Sequence, residues 1–549
     1  MDAKALIARG DNLFQKRGSL LSMWQEQADN FYPERADFTV TRSLGDDFAS
    51  HLTTSYPLLI RRDLGNSFGA MMRPNTLDWF HMRAEREEYE DQPAKAWMEW
   101  ATGTMRRAMY DRKSLFTRAS KESDHDLAAF GQSVKTVELN KDANGLLYRC
   151  WHLRDTVWQE DEEGKIATVH RKWKPCVQEL IKLFGDKCHE KVKDKMMGPN
   201  KDPYAEVNVR HIVMPSDQYD GEYLGKTRNV PYVSIYVDVD NKHIMEEVGQ
   251  SYFMYVIPRW QTVSGSQYAY SPATVAALPD ARLLQAMTLT LLEAGEKATN
   301  PPLVGVQEAI RSDISVYAGG VTWVDAAYDE RLGEVLRPLT SDKSGISYGL
   351  EMRRDSMMLL RECFYLDKLS LPVTGPEMTA YEVAQRVQDY IRQASPIFEP
   401  LEHEDNGAIC ETTFELMLSR GAFGSFEDIP QSIRGKDIGF RFDSPLHDAI
   451  ERQKGQKFAE ARALLAETLP LDPTAAAHVD FRTAFRDTLT SIGIPAKWMN
   501  SEEDAVAQIE AAKAEEQAAK LLEGMGAGAE VAKTIGEADA ALGPEALAA

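Results

Sequence analysis

The sequence is poor in the features that announce chemistry or a membrane. Its five cysteines, Cys150, Cys176, Cys188, Cys363 and Cys410, are odd in number and widely scattered. They read as reduced cytosolic thiols, with neither a disulfide framework nor a CxxC metal site. No run of 18 uncharged apolar residues occurs, so no transmembrane span is expected. The opening MDAKALIARGDNLF lacks the uninterrupted apolar core of a signal peptide. A phosphate-binding GxxxxGK[ST], a glycine triplet after a strand, HExxH and GxSxG are all missing. Positive charge is short as well: 63 Lys and Arg stand against 85 Asp and Glu, a formal charge of −22. Bulk attraction to nucleic acid is thereby excluded, and any DNA contact has to be made by local basic groups against a repelling background.

The near-motifs do not repair these absences. Trp151-His152-Leu153-Arg154-Asp155 contains an HRD, but the downstream Asn, the DFG and the glycine loop are absent, so it reads as a strand end. Asp238, Asp240 and Asn241 open like a calcium loop, yet the glycine and the terminal bidentate Glu are not in place, which leaves a hairpin turn. Cys188-His189-Glu190 are adjacent residues with no partner cluster nearby, and read as a solvated loop. No catalytic residue, metal site or cofactor is expected.

What is present is an alternation of helical and strand patterns in 549 residues, enough chain for several domains. Leu6, Leu13, Leu20, Leu21, Trp24 and Phe31 predict helix over 1–32, ended by Pro33. Further helices are expected over about 52–72, 93–112 and 115–130, the last closed by Gly131. From 133 the period changes. Two hairpins turn at 142–145 and 162–164, a short helix covers 176–184, a lysine-rich segment follows, and a second β cluster to about 257 turns at Asp240-Asn241.

The stretch from Tyr268 to Val306 organises the rest. Ser271-Pro272 is a helix start and Asn300-Pro301-Pro302 a stop, with Pro279 expected to kink or restart the helix. Leu283, Leu284, Met287, Leu291, Ala294 and Ala298 form one apolar stripe, and Leu289 and Leu292 form a second patch that interrupts the polar side. A second apolar patch implies a second neighbour. A companion helix over about 346–368 has its own wide apolar arc, including Met352, Leu359, Leu360 and Phe364, and a mixed β-like segment, 303–340, lies between the two. Beyond it come a capping box at Thr379–Glu382, a break at Ser395-Pro396 followed by Pro400, a helix from about His403 to Arg420, a strand over 437–443 and helices to the end.

Six stretches in order resemble one family. They are LGNSFGAMMRPNTLDWFHM (64–82), SLFTRASKESDHDLAAFGQS (114–133), YSPATVAALPDARLLQ…EKATNPPL (270–303), PVTGPEMTAYEVAQR (372–386), SPLHDAIERQK (444–454) and SIGIPAKWMNSEED (491–504). Together they resemble the portal, or head-to-tail connector, proteins of short-tailed double-stranded DNA bacteriophages, over essentially the whole chain. The resemblance implies an α+β, mainly α fold, assembled as a ring of usually twelve copies around a DNA channel. The implied regions are a wing (1–270 and 370–443), a two-helix stem (271–302 and 341–369), an inserted small α/β clip (303–340), a helical crown (444–524) and a flexible tail (525–549). A tunnel loop is expected at 393–399.

The same resemblance implies the partners: further copies of the chain, the terminase large subunit, a tail adaptor, the major capsid and scaffolding proteins, and double-stranded DNA passing without sequence specificity. No membrane is implied. The place implied is the portal vertex of the virion, after synthesis in the host cytoplasm. Candidate channel residues are Lys297, Arg353, Arg392, Ile397 and Phe398, the last two being either a hydrophobic constriction or anchors of the loop on the wing. Leu289, Leu292 and Leu359 are candidate intersubunit contacts. Val304, Arg311, Trp323 and Arg337 are candidate docking positions for terminase and adaptor. The alternatives are another ring-forming structural protein of the virion, adaptor or internal core protein, and an enzyme with an unrecognised site.

Overall fold

The computed structural model describes residues 2–305 apart from 44, 48, 76–77 and 199–200, then 310, 323, 336–338, 344–369, 392–393, 396–442, 458–466 and a few positions beyond. The chain forms two compact units. The larger comprises Met1–Met82, Ala101–Ser425 and Gly439–Asp448; the smaller comprises Arg83–Trp100, Phe426–Ile438 and Ala449–Ala549.

The chain opens with α1 (Ala3–Lys16), capped by the Asp2 carboxylate on the Ala5 N–H at 2.9 Å, and α2 (Gly18–Phe31). The single helix expected here is divided at Arg17. That guanidinium is buried and donates to the carbonyls of Leu153 at 2.5 Å and Arg154 at 2.6 Å, and to that of Thr156. Supplying buried donors to those carbonyls fixes where the helix must turn. Next come α3 (Tyr56–Met72), β1 (Phe80–Ala84), α4 (Gln92–Met109) and α5 (Phe116–Phe130). Gly131 ends α5 in the left-handed region at φ +74°, and a Cβ there would lie 2.0 Å from the carbonyl carbon of Tyr270. Only glycine satisfies both the cap and that close approach.

The first hairpin is β2 (Val134–Leu139) and β3 (Leu146–Trp151); Asn140 closes its turn by accepting from the N–H groups of Asn144 and Gly145. Then follow β4 (Thr156–Glu160), β5 (Ile166–Trp173), α6 (Val177–Phe184), α7 (Glu190–Met197), β6 (Val209–Pro215), β7 (Tyr232–Asp238) and β8 (His243–Gln250). Short strands β9 (Tyr255–Val256), β10 (Gln261–Thr262) and β11 (Ala269–Tyr270) close this part. The two β clusters expected from sequence exchange strands: β4 and β5 of the first join β6, β7 and β8 in one antiparallel sheet, β4-β5-β6-β7-β8, while β2 and β3 form a second, β3-β2-β9. The lysine-rich segment is an excursion from it: Trp173 pairs with Val209 on the adjoining strands, and Cys176 bridges to Glu206 at its root. Side chains alternate across the sheet. Ile212, Met214, Val233 and Ile235 face Leu6 and Ile7 of α1, while Trp158, Val169 and Val213 pack with Trp24, Phe130 and Tyr268.

Helix α8 (Pro272–Thr299) runs on through Pro279 without the restart that was one of the two expectations there. The bond Pro279 cannot make is to the carbonyl of Val275, a residue exposed to solvent. Strands β12 (Leu303–Gly305) and β13 (Leu336–Pro338) pair antiparallel. Helices α9 (Ser344–Cys363) and α10 (Leu366–Leu369) follow. Residues 396–401 are helical with Pro400 inside the run, earlier than the start near His403 that the sequence suggests; Ser395, on the other side of the expected break, lies outside the described residues. Ile397, Phe398 and Leu401 bury on one face there, and three such burials at ~1.5–3 kcal/mol each outweigh a proline's cost of about 3. A π-helical turn, Glu402–Gly407, leads into α11 (Ala408–Ser419), and β14 (Ile438–Phe442) pairs with β1. The capping box at 379–382, most of 303–340 and most of 444–549 lie outside the described residues.

Within the smaller unit, Asp91 caps the start of α4 by accepting from Ala94 at 2.8 Å and takes a hydrogen bond from Ser432. The Arg434 guanidinium holds the carbonyls of Glu427 and Ile429, and Lys436 sits over the Tyr89 ring.

Candidate functional site

The start of α8 is built into the protein. The Ser271 hydroxyl accepts from the Thr274 N–H and donates to the carbonyl of Ala128, and Thr274 donates to that of Ala129. Ala273, Thr274, Ala277, Ala281 and Leu284 are buried. Gln285 makes the last tie: its side-chain oxygen accepts from the N–H groups of Thr53 and Thr54, and its amide donates to the Thr54 carbonyl. Beyond it, no residue of α8 is buried.

From there α8 runs antiparallel to α9. Met287 meets Ser356, and Leu291 reaches Gly349, where a Cβ would stand 2.7 Å from its Cδ2. At the base of the hairpin Leu360 and Phe364 are fully buried, with the Phe364 ring 5.4 Å from that of Phe31. The remaining apolar residues face outward. Leu289 is 45% exposed, Leu292 60%, Leu359 51% and Met358 68%. The second patch of α8 and half of the α9 arc therefore have no cover among the described residues of their own chain.

By length and composition α8 also passes for a membrane span, with 17% of its apolar window buried. Its first half is locked in the protein core and Arg282 is paired with Glu26 of α2. Both conditions are foreign to lipid.

The sequence candidates fall in distinct surroundings. Lys297 is exposed near the end of α8, Arg353 half-buried on α9 and Arg392 exposed. Leu289, Leu292 and Leu359 share the uncovered hairpin surface. Val304 is exposed on β12, and its backbone partner on β13 is Arg337. Trp323 is 69% exposed, and Arg311 lies outside the described residues. Ile397 and Phe398 are 8% and 7% exposed and pack in the cluster of Phe68, Trp260 and Leu401. Both side chains are therefore in the chain's own core.

Sequence reasoning missed the buried ion cluster beside that anchor. Arg73, at the end of α3, bonds Asp124 of α5, Asp405 at 2.9 Å and Asn406 at 2.7 Å, and Lys135 of β2 closes on the other oxygen of Asp405. Burial pushes both carboxyls up. For Asp405, Lys135 and Arg73 outweigh burial and hold it below the usual carboxylate range; for Asp124, burial wins and the carboxyl is raised. Two cations and two carboxylates balance, so the cluster is tolerable only as a complete set. Its members lie up to 332 residues apart, which no local pattern reveals.

The chain exposes a long apolar hairpin surface of the kind that marks interaction sites, and among its described residues no group of three or more His, Cys, Asp or Glu could hold a metal ion. Its sequence matches the family of bacteriophage head to tail connecting proteins over residues 3–499, and the chain belongs to that family. The family is structural, and the chain is accordingly a virion component. Among similar proteins, the probable portal protein of Bordetella phage BPP-1 is 28% identical over 465 residues, covering 82% of this chain and 80% of that one. The portal protein of Salmonella phage epsilon15 is 20% identical over 558 residues, covering 100% and 98%. Among solved structures, a chain of the virion of a native gene transfer agent particle aligns with TM-score 0.35 at 9% identity, covering 76% of this chain and 89% of that one.

Proposed function

We infer that the chain is the subunit of a viral portal: a ring, of twelve copies as the family resemblance implies, at one vertex of the capsid. The observation that carries this reading is the uncovered hairpin surface of α8 and α9. A ring gives every copy two neighbours, and the two apolar sides of α8 then have one partner in α9 and another in the next copy. Leu289, Leu292 and Leu359 are the contacts proposed.

The charge fits a conduit. Twelve copies at −22 carry a formal charge of about −264. A lumen of that sign repels phosphates, so DNA slides rather than sticks. Lys297, Arg353 and Arg392 are placed as sparse rings that steer the backbone without reading sequence. The terminase large subunit drives DNA inward and the tail adaptor later takes its place, both on the 303–340 segment around Val304, Arg311, Trp323 and Arg337. Major capsid and scaffolding proteins surround the ring during assembly. The role needs no catalytic residue, cofactor or membrane.

Light scattering and negative-stain images of the purified chain test this. The expected result is closed rings with a central hole, twelve copies of 61.7 kDa or about 740 kDa. A compact monomer with hydrolase activity contradicts it. Closed rings that fail to bind terminase and dock in place of a small adaptor point to a different ring-forming virion protein.

A further inference from the structure

Among the described residues one helical turn is π-helical: residues 402–407, wound between helical residues 396–401 and α11. A π turn carries one residue more than the α-helix it interrupts, and such turns concentrate at functional positions. Here three successive side chains reach three elements. Glu404 accepts from the backbone N–H of Arg259 at 2.8 Å and from its guanidinium. Asp405 is gripped between Lys135 and Arg73. Asn406 accepts from Arg73 and donates to the Met72 carbonyl at 3.2 Å. Neighbouring residues of an α-helix point about 100° apart, and the wider π turn narrows that fan so that all three contacts coexist.

Upstream, the buried Ile397, Phe398 and Leu401 hold helix 396–401 against Phe68, whose ring lies 6.0 Å from that of Phe398. Winding the π turn into α-helix would push this helix back by one residue, a rotation of about 100° and a shift of about 1.5 Å. Phe398 would leave its place and the exposed Glu399 would turn toward it. A packed core does not accept intermediate positions, so the alternatives are two discrete registers.

We propose that the π turn is the latch of a one-residue register switch. Asp405, clamped by Arg73 and Lys135, holds helix 396–401 in its present register, and load on the 393–399 segment is released by winding the turn into α-helix. That DNA in a channel supplies the load rests on the portal reading; the latch itself does not.

Amide hydrogen exchange on the full chain without DNA reads the latch. In the wild type, 396–407 exchanges about tenfold faster than α11, as expected of a separate opening unit. Asp405→Asn, which leaves two buried cations short of a charge, accelerates 396–407 by a further factor of about ten and leaves α11 unchanged. Deleting His403, an exposed residue of the turn, removes the extra residue and makes one continuous α-helix with both flanks in register. Exchange at 396–407 then falls to the rate of α11. The proposal is overturned if 396–407 exchanges with α11 in the wild type and the variants alike. It is overturned too if deleting His403 unfolds the chain, as a deletion inside an α-helix does. Should Asp405→Asn not fold, the wild-type and deletion readings decide alone. Rings that fail to form overturn the portal reading and leave these rates untouched; unchanged rates overturn the latch and leave the rings standing.

Discussion

The two halves of α8 are alike in composition and opposite in surroundings. Through Leu284 the helix is packed in the largest core cluster; from Gln285 onward it carries leucines at the same density and buries none of them. The first half is explained by this chain alone, whereas on the portal reading the second half is covered by another copy of it. An apolar pattern therefore says how many neighbours a helix has, and not whether they are covalently attached to it.

Breaking the embedded half carries the largest cost. Leu284→Asp places an unpaired carboxylate at a fully buried position and should cost at least ~4 kcal/mol, enough that no folded chain is recovered. Circular dichroism after purification checks it.

The ion cluster beside the π turn comes next. Arg73→Ala removes the shared partner of Asp124 and Asp405 and should cost roughly 3–5 kcal/mol in urea unfolding. The hairpin has no such group, so its surface substitutions should leave the same curve in place.

Acid separates the two regions more gently. Burial, then the Arg210 guanidinium, push the His170 imidazole down to about 3, and burial, then Arg171, hold His211 well below its ordinary value. A depressed histidine contributes stability that is complete above the unfolded value near 6.5 and is lost as pH falls toward the folded one. The five-stranded sheet should weaken by roughly 1 kcal/mol per pH unit per histidine between about 6.5 and 4, seen as a falling melting temperature. His170→Gln should flatten that slope.

The smallest effect is expected at the surface pair of Arg282 with Glu26. Arg282→Ala should change stability by less than ~1 kcal/mol, because both side chains are about half exposed. A larger loss would mean that this pair, rather than the buried alanines, fixes α8 to α2.

Much of this was legible locally. Ser271-Pro272 and Asn300-Pro301-Pro302 mark the ends of α8, and the observed cap at Ser271 and end at Thr299 agree. The turns near Asn144 and Gly164 and the left-handed Gly131 were readable for the same reason: backbone chemistry within a few residues decides them. What was not legible depends on distant partners. The break at Arg17 is set by carbonyls 136 to 139 residues away, and the single five-stranded sheet is set by β5 finding β6 across an inserted lobe. Helix 396–401 accommodates Pro400 because of a core assembled elsewhere. Of the candidate site, the apolar positions were visible in the sequence, but not that Ile397 and Phe398 point inward while Leu289 and Leu292 point outward.

One measurement bears most directly on the account: light scattering and thermal melting of the Leu289→Asp chain beside the wild type. The account predicts a variant that melts within about 1 kcal/mol of the wild-type monomer yet no longer closes into rings, because only its contact with the next copy is lost. Rings of normal mass from Leu289→Asp would contradict it, and would leave the exposed half of α8 without an assigned partner.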